Sequence, residues 1–201
     1  SREQVGEIDL LVNNAGVAVG GHLGEIPLDD WRWIMGVNLW GVIHGCRAFV
    51  PAMKARRRGW ILNVASAAGF VCLPQLGPYN VTKAGVIALS DTLRAEVAPF
   101  GVNVTVLCPS FFQTGIAESG RGDDDQTRRQ IQEMMRRSKV QAEDVARVAL
   151  RGLERGQLYV VPMREAQAAW IAKRLLPSTF PELIGFVRKH AGRLLNDSIR
   201  G

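Results

Sequence analysis

The feature that most constrains this chain is the alternation of short apolar runs with longer helix-like segments. The apolar runs have the length of β-strands and cover residues 8–12, 60–65, 102–107 and 158–161. Strands that alternate with helices along a chain are typical of a parallel sheet covered by helices. The sequence therefore predicts an α/β fold, a doubly wound parallel sheet.

Helix-like segments fill the stretches between these runs. They cover residues 28–56, with a break near Gly36, and residues 77–99, 126–137 and 142–154. The tail after Pro162 is predicted to be helical, with interruptions at Pro177 and Pro181, because proline disrupts a helix interior. Without repeats or a low-complexity linker, residues 1–201 are predicted to form one domain, with 163–201 as a C-terminal helical extension.

Composition and charge narrow the class of protein. The chain is 47% hydrophobic and 22% charged, which is ordinary for a globular protein. Its net charge of +6 comes from basic residues concentrated after residue 120, mixed with acids and without a nucleic-acid-binding motif. Residues 168–187 are amphipathic and basic, which fits a membrane surface or, the interpretation we favour, packing over a cleft or another subunit.

Cysteine and histidine usage argues against a metal site. Cys46, Cys72 and Cys108 form no CxxC pair and have no metal-ligand spacing with the three histidines. We interpret them as reduced thiols, which together with a polar start unlike a secretory signal predicts a cytoplasmic protein.

The first strand is apolar on both faces, as in a central strand of a parallel sheet. Nothing before residue 8 reads as a strand that could pair with its other edge. We therefore expect an uncovered, association-prone edge and a sheet that is incomplete at the N-terminus.

Tyr79 and Lys83 are the first candidates for chemistry, because residues four apart on a helix share one face. A phenol ordinarily titrates near ~10, and a neighbouring ammonium lowers that pKa towards the range of a general acid/base. The Y-x-x-x-K spacing alone is weak, since it arises by chance in many helices.

Further polar residues follow the predicted strands. Asn13-Asn14-Ala15-Gly16 follows the first strand, Ser66 follows the second, thirteen residues before Tyr79, and residues 109–114 follow the third. Asn38 lies between the first two groups in the chain. Because ligands of parallel α/β sheets bind beyond the carboxyl ends of the strands, we expect one shared site.

Each of these residues also has a purely structural interpretation. Ser66 fits a strand-end cap, Asn38 a helix kink, Thr114 a helix N-cap and residues 13–16 a tight turn. Taken together, and in this order, the structural interpretations become improbable.

Residues 7–116 resemble the short-chain dehydrogenase/reductase family in the order and spacing of five features. These are the NNAG segment, an asparagine in a helix, a serine, the YxxxK motif, and a turn that contains a proline and a threonine. The resemblance implies a Rossmann-like fold and an oxidoreductase that uses NAD or NADP to interconvert an alcohol and a ketone or aldehyde. It also implies a homodimer or homotetramer.

The resemblance assigns a role to each catalytic position. Tyr79 would exchange a proton with the substrate oxygen, and Ser66 would hydrogen-bond that oxygen. Lys83 would lower the pKa of Tyr79 and bind the nicotinamide ribose, and Asn38 would hold a water that relays protons. The implied cofactor contacts, besides Tyr79 and Lys83, are Asn14, Ala15 and Gly16 beside the adenosine ribose and Pro109, Phe112 and Thr114 around the nicotinamide.

The sequence departs from the family pattern at two places. Ser110 stands where a glycine usually follows the proline, and no Gly-rich TGxxxGxG turn is present to cradle a pyrophosphate. We therefore expect this chain alone to be inactive and favour a piece of a longer enzyme. A catalytically silent oligomerisation or binding module, or a second chain that supplies the missing half, stays open.

The substrate is predicted to be a small apolar carbonyl compound or alcohol. Segments on the cleft side supply Phe70, Val71, Leu73, Leu76, Phe111 and Phe112. No arginine is expected near the Ser66–Tyr79 pair, unless Arg121, Arg128 or Arg129 folds inward from the following loop.

Overall fold

Four parallel strands form the sheet in the part of the chain that the structure describes. The computed structural model describes residues 7–117, 120–122 and 125–187. The strands are β1 (Leu10–Asn13), β2 (Gly59–Val64), β3 (Val102–Leu107) and β4 (Tyr159–Val160), in the order β1-β2-β3-β4. The predicted parallel α/β sheet is confirmed; β3 has the predicted bounds, and the other three strands differ from them by one or two residues at their ends.

The helices lie in the segments that the sequence predicts, with one added α-helix. They are α1 (Leu28–Met35), α2 (Gly41–Ala55), α3 (Ala68–Val71), α4 (Gly77–Val97), α5 (Asp125–Arg137), α6 (Ala142–Glu154) and α7 (Arg164–Leu175). The expected break near Gly36 is a π-helix, Gly36–Trp40, that joins α1 to α2 without a gap. The short helix α3, between Ser66 and Tyr79, was not predicted.

The two central strands of the sheet are buried on both faces. Ile61, Leu62 and Asn63 of β2 are consecutive and all buried, although neighbouring strand residues point to opposite faces. Burial on both faces is typical of a parallel sheet between two helical layers. Helix α2 packs on β1 and β2, α4 on β2 and β3, and α6 on β3 and β4.

A series of hydrogen bonds between amide and hydroxyl side chains fixes the position of α4 relative to the ends of the strands. Asn13 Nδ2 donates to Asn63 Oδ1 at 2.8 Å, Asn63 Nδ2 donates to Ser90 Oγ at 2.9 Å, and Ser90 Oγ donates to the Val86 carbonyl at 2.7 Å. Gly45 of α2 leaves space for these hydrogen-bonded side chains, because a Cβ there would lie 2.3 Å from Asn13 Oδ1. These bonds fix β1, β2 and α4 as one unit.

The outer edge of β1 is uncovered in the part of the chain that the structure describes. Its one strand partner there is β2, and one face of the strand is also open, because Leu10 and Val12, which share that face, are 36% and 47% exposed. The expected apolar edge is therefore present.

The C-terminal segment packs beside the sheet. Trp170 of α7 lies against Phe70, with ring centroids 5.3 Å apart, and against Tyr159, at 4.9 Å. Helix α7 ends before Pro177, as predicted, but Pro181 lies at the start of a second helical segment, residues 180–187. Proline is accommodated in a first turn because its missing N–H would have no helical partner there. None of the helices described is long and apolar enough to cross a bilayer.

Candidate active site

A cavity of about 610 Å³ opens where β1, β2 and β3 end. Nine of the ten residues singled out from the sequence line this one cavity, and Asn38 lies buried behind its wall. The nine are Asn14, Ala15, Gly16, Ser66, Tyr79, Lys83, Pro109, Phe112 and Thr114.

Ser66 follows directly on the end of β2. The Ala65 and Ala67 amides donate to the Leu107 and Pro109 carbonyls at 2.8 and 2.9 Å, so the strand pairing continues past the residue. Ser66 Oγ accepts from the Ala68 amide at 3.1 Å and donates a long bond of 3.4 Å to the Pro109 carbonyl. The hydroxyl therefore accepts a bond at the start of α3, as the structural interpretation expects, and also lines the cavity, while its catalytic role stays a prediction.

Tyr79 lies in the first turn of α4 and is half-buried. Its ring packs against the buried side chains Val19, Ile26 and Ile34, with Trp31 beside them. Withdrawal from water raises the pKa of the Tyr79 phenol above its ordinary value, and the nearby Ser66 hydroxyl acts in the opposite direction. This direction is opposite to the lowering expected from Lys83, because desolvation of the phenolate outweighs every other influence on the ring.

Lys83 follows one turn later and is only 2% exposed. Its Nζ donates to the Val64 carbonyl at 2.9 Å and lies 5.7 Å from the centroid of the Tyr79 ring. Burial lowers the pKa of Lys83 to about 8, and the Cys108 thiol opposes this shift. Gly16 borders the amine closely, since a Cβ at Gly16 would lie 3.4 Å from Nζ.

Asn38 is fully buried in the π-helix between α1 and α2. Its Oδ1 accepts from the Val17 amide at 2.8 Å, while Nδ2 donates to the Val17 carbonyl at 2.9 Å and to Thr82 Oγ1 at 3.2 Å. Asn38 thus joins the chain after Gly16 to the helix that carries Tyr79. The side chain is occupied by protein partners, and its expected role in holding a water stays a prediction.

The apolar wall of the cavity is formed by residues from four regions. Val71, Leu73, Leu76, Phe111 and Phe112 line it as expected, whereas Phe70 does not, because its ring stacks on Trp170. Sequence reasoning missed Ile131 and Met135 of α5 and Ala166 of α7. Ala169 of α7 also lines the cavity, which agrees with the favoured packing of residues 168–187 over a cleft.

Comparison with known proteins places this arrangement in a family. The family model described as short chain dehydrogenase matches residues 1–125. The chain belongs to the short-chain dehydrogenase family. D-beta-hydroxybutyrate dehydrogenase from Rhizobium meliloti (strain 1021) is 37% identical over 126 residues, 63% of this chain and 49% of that protein. 3-Ketodihydrosphingosine reductase from Bacteroides thetaiotaomicron is 36% identical over 114 residues, 57% of this chain and 42% of that protein. The chain thus spans about half the length of these curated relatives or less.

Solved structures of short-chain dehydrogenases share the fold. One from Burkholderia phymatum, in complex with NAD, is 34% identical, with a TM-score of 0.81 over 86% of this chain and 67% of that one. A gluconate 5-dehydrogenase from Burkholderia cenocepacia J2315, in complex with NADP and tartrate, is 27% identical, with a TM-score of 0.69 over 83% of this chain and 68% of that one. These structural similarities show that this short-chain dehydrogenase chain has a Rossmann-like fold.

Two charged residues of this short-chain dehydrogenase chain also border the cavity. The Arg121 guanidinium pairs with Asp30 at 3.3 Å and lies 4.0 Å from the centroid of the Trp33 ring. Glu165 of α7 accepts a hydrogen bond of 2.6 Å from the Ser110 hydroxyl. Ser110, where the family pattern has glycine, thus connects the turn after β3 to the C-terminal helix.

The arginines of the loop after β3 do not behave alike. Arg121 lines the cavity, which the sequence analysis had allowed, but its guanidinium forms an ion pair with Asp30. Arg129 is exposed and does not line the cavity, and the side chain of Arg128 lies outside the described residues. Neither Arg121 nor Glu165 carries a spacing signal in the sequence, because both reach the cavity through tertiary packing alone.

Proposed function

We propose that the protein containing this chain is an NAD- or NADP-dependent oxidoreductase that interconverts a small apolar alcohol and its ketone or aldehyde. The observation that carries the proposal is the shared cavity of Ser66, Tyr79 and Lys83 with the segments at residues 14–16 and 109–114. Membership of the short-chain dehydrogenase family supports it.

Tyr79 is the acid/base of the proposed reaction. In reduction the phenol gives its proton to the substrate oxygen, and in oxidation the phenolate takes the alcohol proton. A raised pKa keeps the phenol protonated at neutral pH, which suits proton donation. Ser66 stands beside it, and its O–H donates only a long bond, to the Pro109 carbonyl, so this O–H is available to stabilise charge on the substrate oxygen.

Lys83 supplies positive charge and donors at the floor of the cavity. An ammonium has three N–H donors, and the Val64 carbonyl takes one of them. The remaining donors are free in the proposal to hold the nicotinamide ribose. With its pKa lowered to about 8, the amine stays mostly charged at neutral pH and favours the phenolate when Tyr79 releases its proton.

The residues present fit the nicotinamide half of a dinucleotide. Gly16 borders Lys83 without a side chain, and a Cβ there would lie in van der Waals contact with the amine. Pro109, Phe112 and Thr114 line the same cavity and would enclose the nicotinamide. The bound cofactor would supply the hydride. Its pyrophosphate has no Gly-rich turn to bind within these 201 residues.

The wall favours an uncharged substrate. Leucine, valine and phenylalanine side chains dominate it, and Asp30 neutralises Arg121. An anionic group next to the reacting carbon would have no free cation among the described residues of the lining besides Lys83.

A substrate panel tests the proposal in the protein that contains this chain. Neutral secondary alcohols and ketones are compared with hydroxy and keto acids, using each dinucleotide, by the absorbance of reduced nicotinamide. We expect turnover with clear preference for neutral compounds. Preference for the acids would refute the substrate class. Dinucleotide binding without turnover of any compound would favour the silent binding module.

A further inference from the structure

The loop between α3 and α4, residues 72–76, forms one wall of the cavity through Leu73 and Leu76. Its backbone is unusual, because Cys72 and Gln75 both have left-handed conformations, with φ of 58° and 63°. Residues other than glycine adopt this region only where the surroundings hold them there. The position of the wall therefore depends on the groups that bind this loop.

Asn80, the residue after Tyr79, binds the loop from the inside. Its Nδ2 donates to the Leu73 carbonyl at 2.7 Å, and its backbone amide donates to the Leu76 carbonyl at 2.8 Å. From the opposite side, the Gly21 amide donates to the Gln75 carbonyl at 2.9 Å. The loop is thus held between the first turn of α4 and the segment around Gly21.

The Asn80 side chain carries a cost that a purely structural residue would not. Asn80 is 8% exposed, and its Oδ1 is the one buried side-chain N or O atom in the described residues without a hydrogen-bond partner. A buried acceptor left without a partner disfavours the folded state. The Asn80 amide group, by contrast, donates a short hydrogen bond to the carbonyl of Leu73, a residue of the cavity wall.

We propose that Asn80 is a positioning residue that sets the distance between the Tyr79 hydroxyl and the Leu73–Leu76 wall, and so selects the substrate by size. Asn80 does not itself line the cavity, and it acts through the loop. Because Tyr79 and Asn80 are neighbours in the first turn of α4, the reacting group and the wall share one support. The proposal about size rests on the function proposed above, whereas the proposal about the loop does not.

Two variants separate a positioning role from a structural one. Asn80→Leu removes both the bond to Leu73 and the unsatisfied oxygen, and the Leu73 carbonyl still accepts from the Leu76 amide, so the fold is expected to keep its unfolding temperature. Asn80→Asp replaces the donor with an acceptor that faces the Leu73 carbonyl. Thr92→Val is the matched control, because it removes another side-chain bond to a carbonyl on α4, to Ala88 at 3.1 Å, away from the cavity.

Amide hydrogen exchange tests the loop without any need for activity. The Leu76 and Gly21 amides both bond to carbonyls of the loop, at 3.4 and 2.9 Å. We expect both Asn80 variants to exchange these amides about tenfold faster, with Thr92→Val unchanged. Unchanged exchange in both Asn80 variants would overturn the proposal, whether or not the protein proves to be an oxidoreductase.

Turnover of straight-chain methyl ketones that differ by one methylene tests the size selection. A hydrophobic pocket separates such neighbours by about tenfold or more in kcat/KM. We expect Asn80→Leu to shrink that ratio about fivefold through KM, with kcat for the best ketone retained and Asn80→Gln restoring part of the ratio. A uniform loss of kcat with the ratio unchanged, together with a lower unfolding temperature, would show a structural residue and overturn the proposal. If the unaltered protein turns over no ketone, aldehyde or alcohol, the proposed function fails, and hydrogen exchange still decides the role of Asn80.

Discussion

The buried Lys83 ammonium donates a hydrogen bond of 2.9 Å to the carbonyl of Val64, the last residue of β2. This bond holds the lysine at the end of the sheet, below the Tyr79 ring. Burial lowers the pKa of the amine from 10.5 to about 8, so the folded protein releases this proton before the unfolded chain does. The charge at the proposed site is therefore maintained at the expense of stability.

The stability of the fold should depend on pH through Lys83. Between pH 8 and 10.5 the unfolded chain keeps a proton that the folded protein has lost, so stability rises with pH, by at most about 1.4 kcal/mol per pH unit. Above pH 9 the Cys108 thiol, whose pKa burial raises to about 12, acts in the opposite direction. Urea unfolding between pH 7 and about 9 should show the rise in the unaltered chain and not in Lys83→Met. Parallel curves for the two proteins would contradict this account.

Asn38 should contribute strongly to stability, because its side chain is fully buried and all three of its hydrogen bonds are to protein groups. Asn38→Leu keeps the volume but leaves the Val17 amide and carbonyl without their side-chain partners. Unsatisfied buried groups cost about 1–3 kcal/mol each, so we expect the free energy of unfolding to fall by about 3 kcal/mol in urea. Thr92→Val, at an exposed site, should change it by less than about 0.5 kcal/mol. An equally small loss for Asn38→Leu would mean that the π-helix does not depend on this residue.

Residues 1–201 alone should bind NAD(H) and NADP(H) weakly. The cavity offers contacts to the nicotinamide end, whereas no Gly-rich turn in these residues binds the pyrophosphate. We predict dissociation constants in the millimolar range or weaker, which corresponds to about 4 kcal/mol, by isothermal titration calorimetry. Micromolar binding would show that another segment or a second chain replaces that turn.

Much of the fold could be predicted because its signals are local. Apolar runs of strand length located all four strands, and the residues that follow β1, β2 and β3 were expected to meet because carboxyl ends of parallel strands share one edge. The short helix α3 was not predicted, because four residues carry too little periodicity to distinguish a helix from a loop.

The features that the sequence analysis did not predict depend on contacts between segments distant in sequence. The Gly36–Trp40 π-helix was expected only as a break, since its geometry depends on the bonds from Asn38 to Val17 and Thr82. Arg121 and Glu165 join the cavity from segments distant in sequence, and no spacing rule connects them to Tyr79. The direction of the Tyr79 pKa was mispredicted because desolvation cannot be judged from the Y-x-x-x-K spacing.

Replacement of Tyr79 by phenylalanine, in the protein that contains this chain, tests the central claim most directly. The variant removes one hydroxyl from a ring that packs on Val19 and Ile34, so the fold should persist. The other tyrosine, Tyr159, is a matched control, because its hydroxyl bonds to Asp91 outside the cavity. We predict that Tyr79→Phe lowers kcat by about 10²–10⁴-fold with an unchanged far-ultraviolet circular dichroism spectrum, while Tyr159→Phe retains turnover. Unaltered turnover by a folded Tyr79→Phe protein would contradict the account.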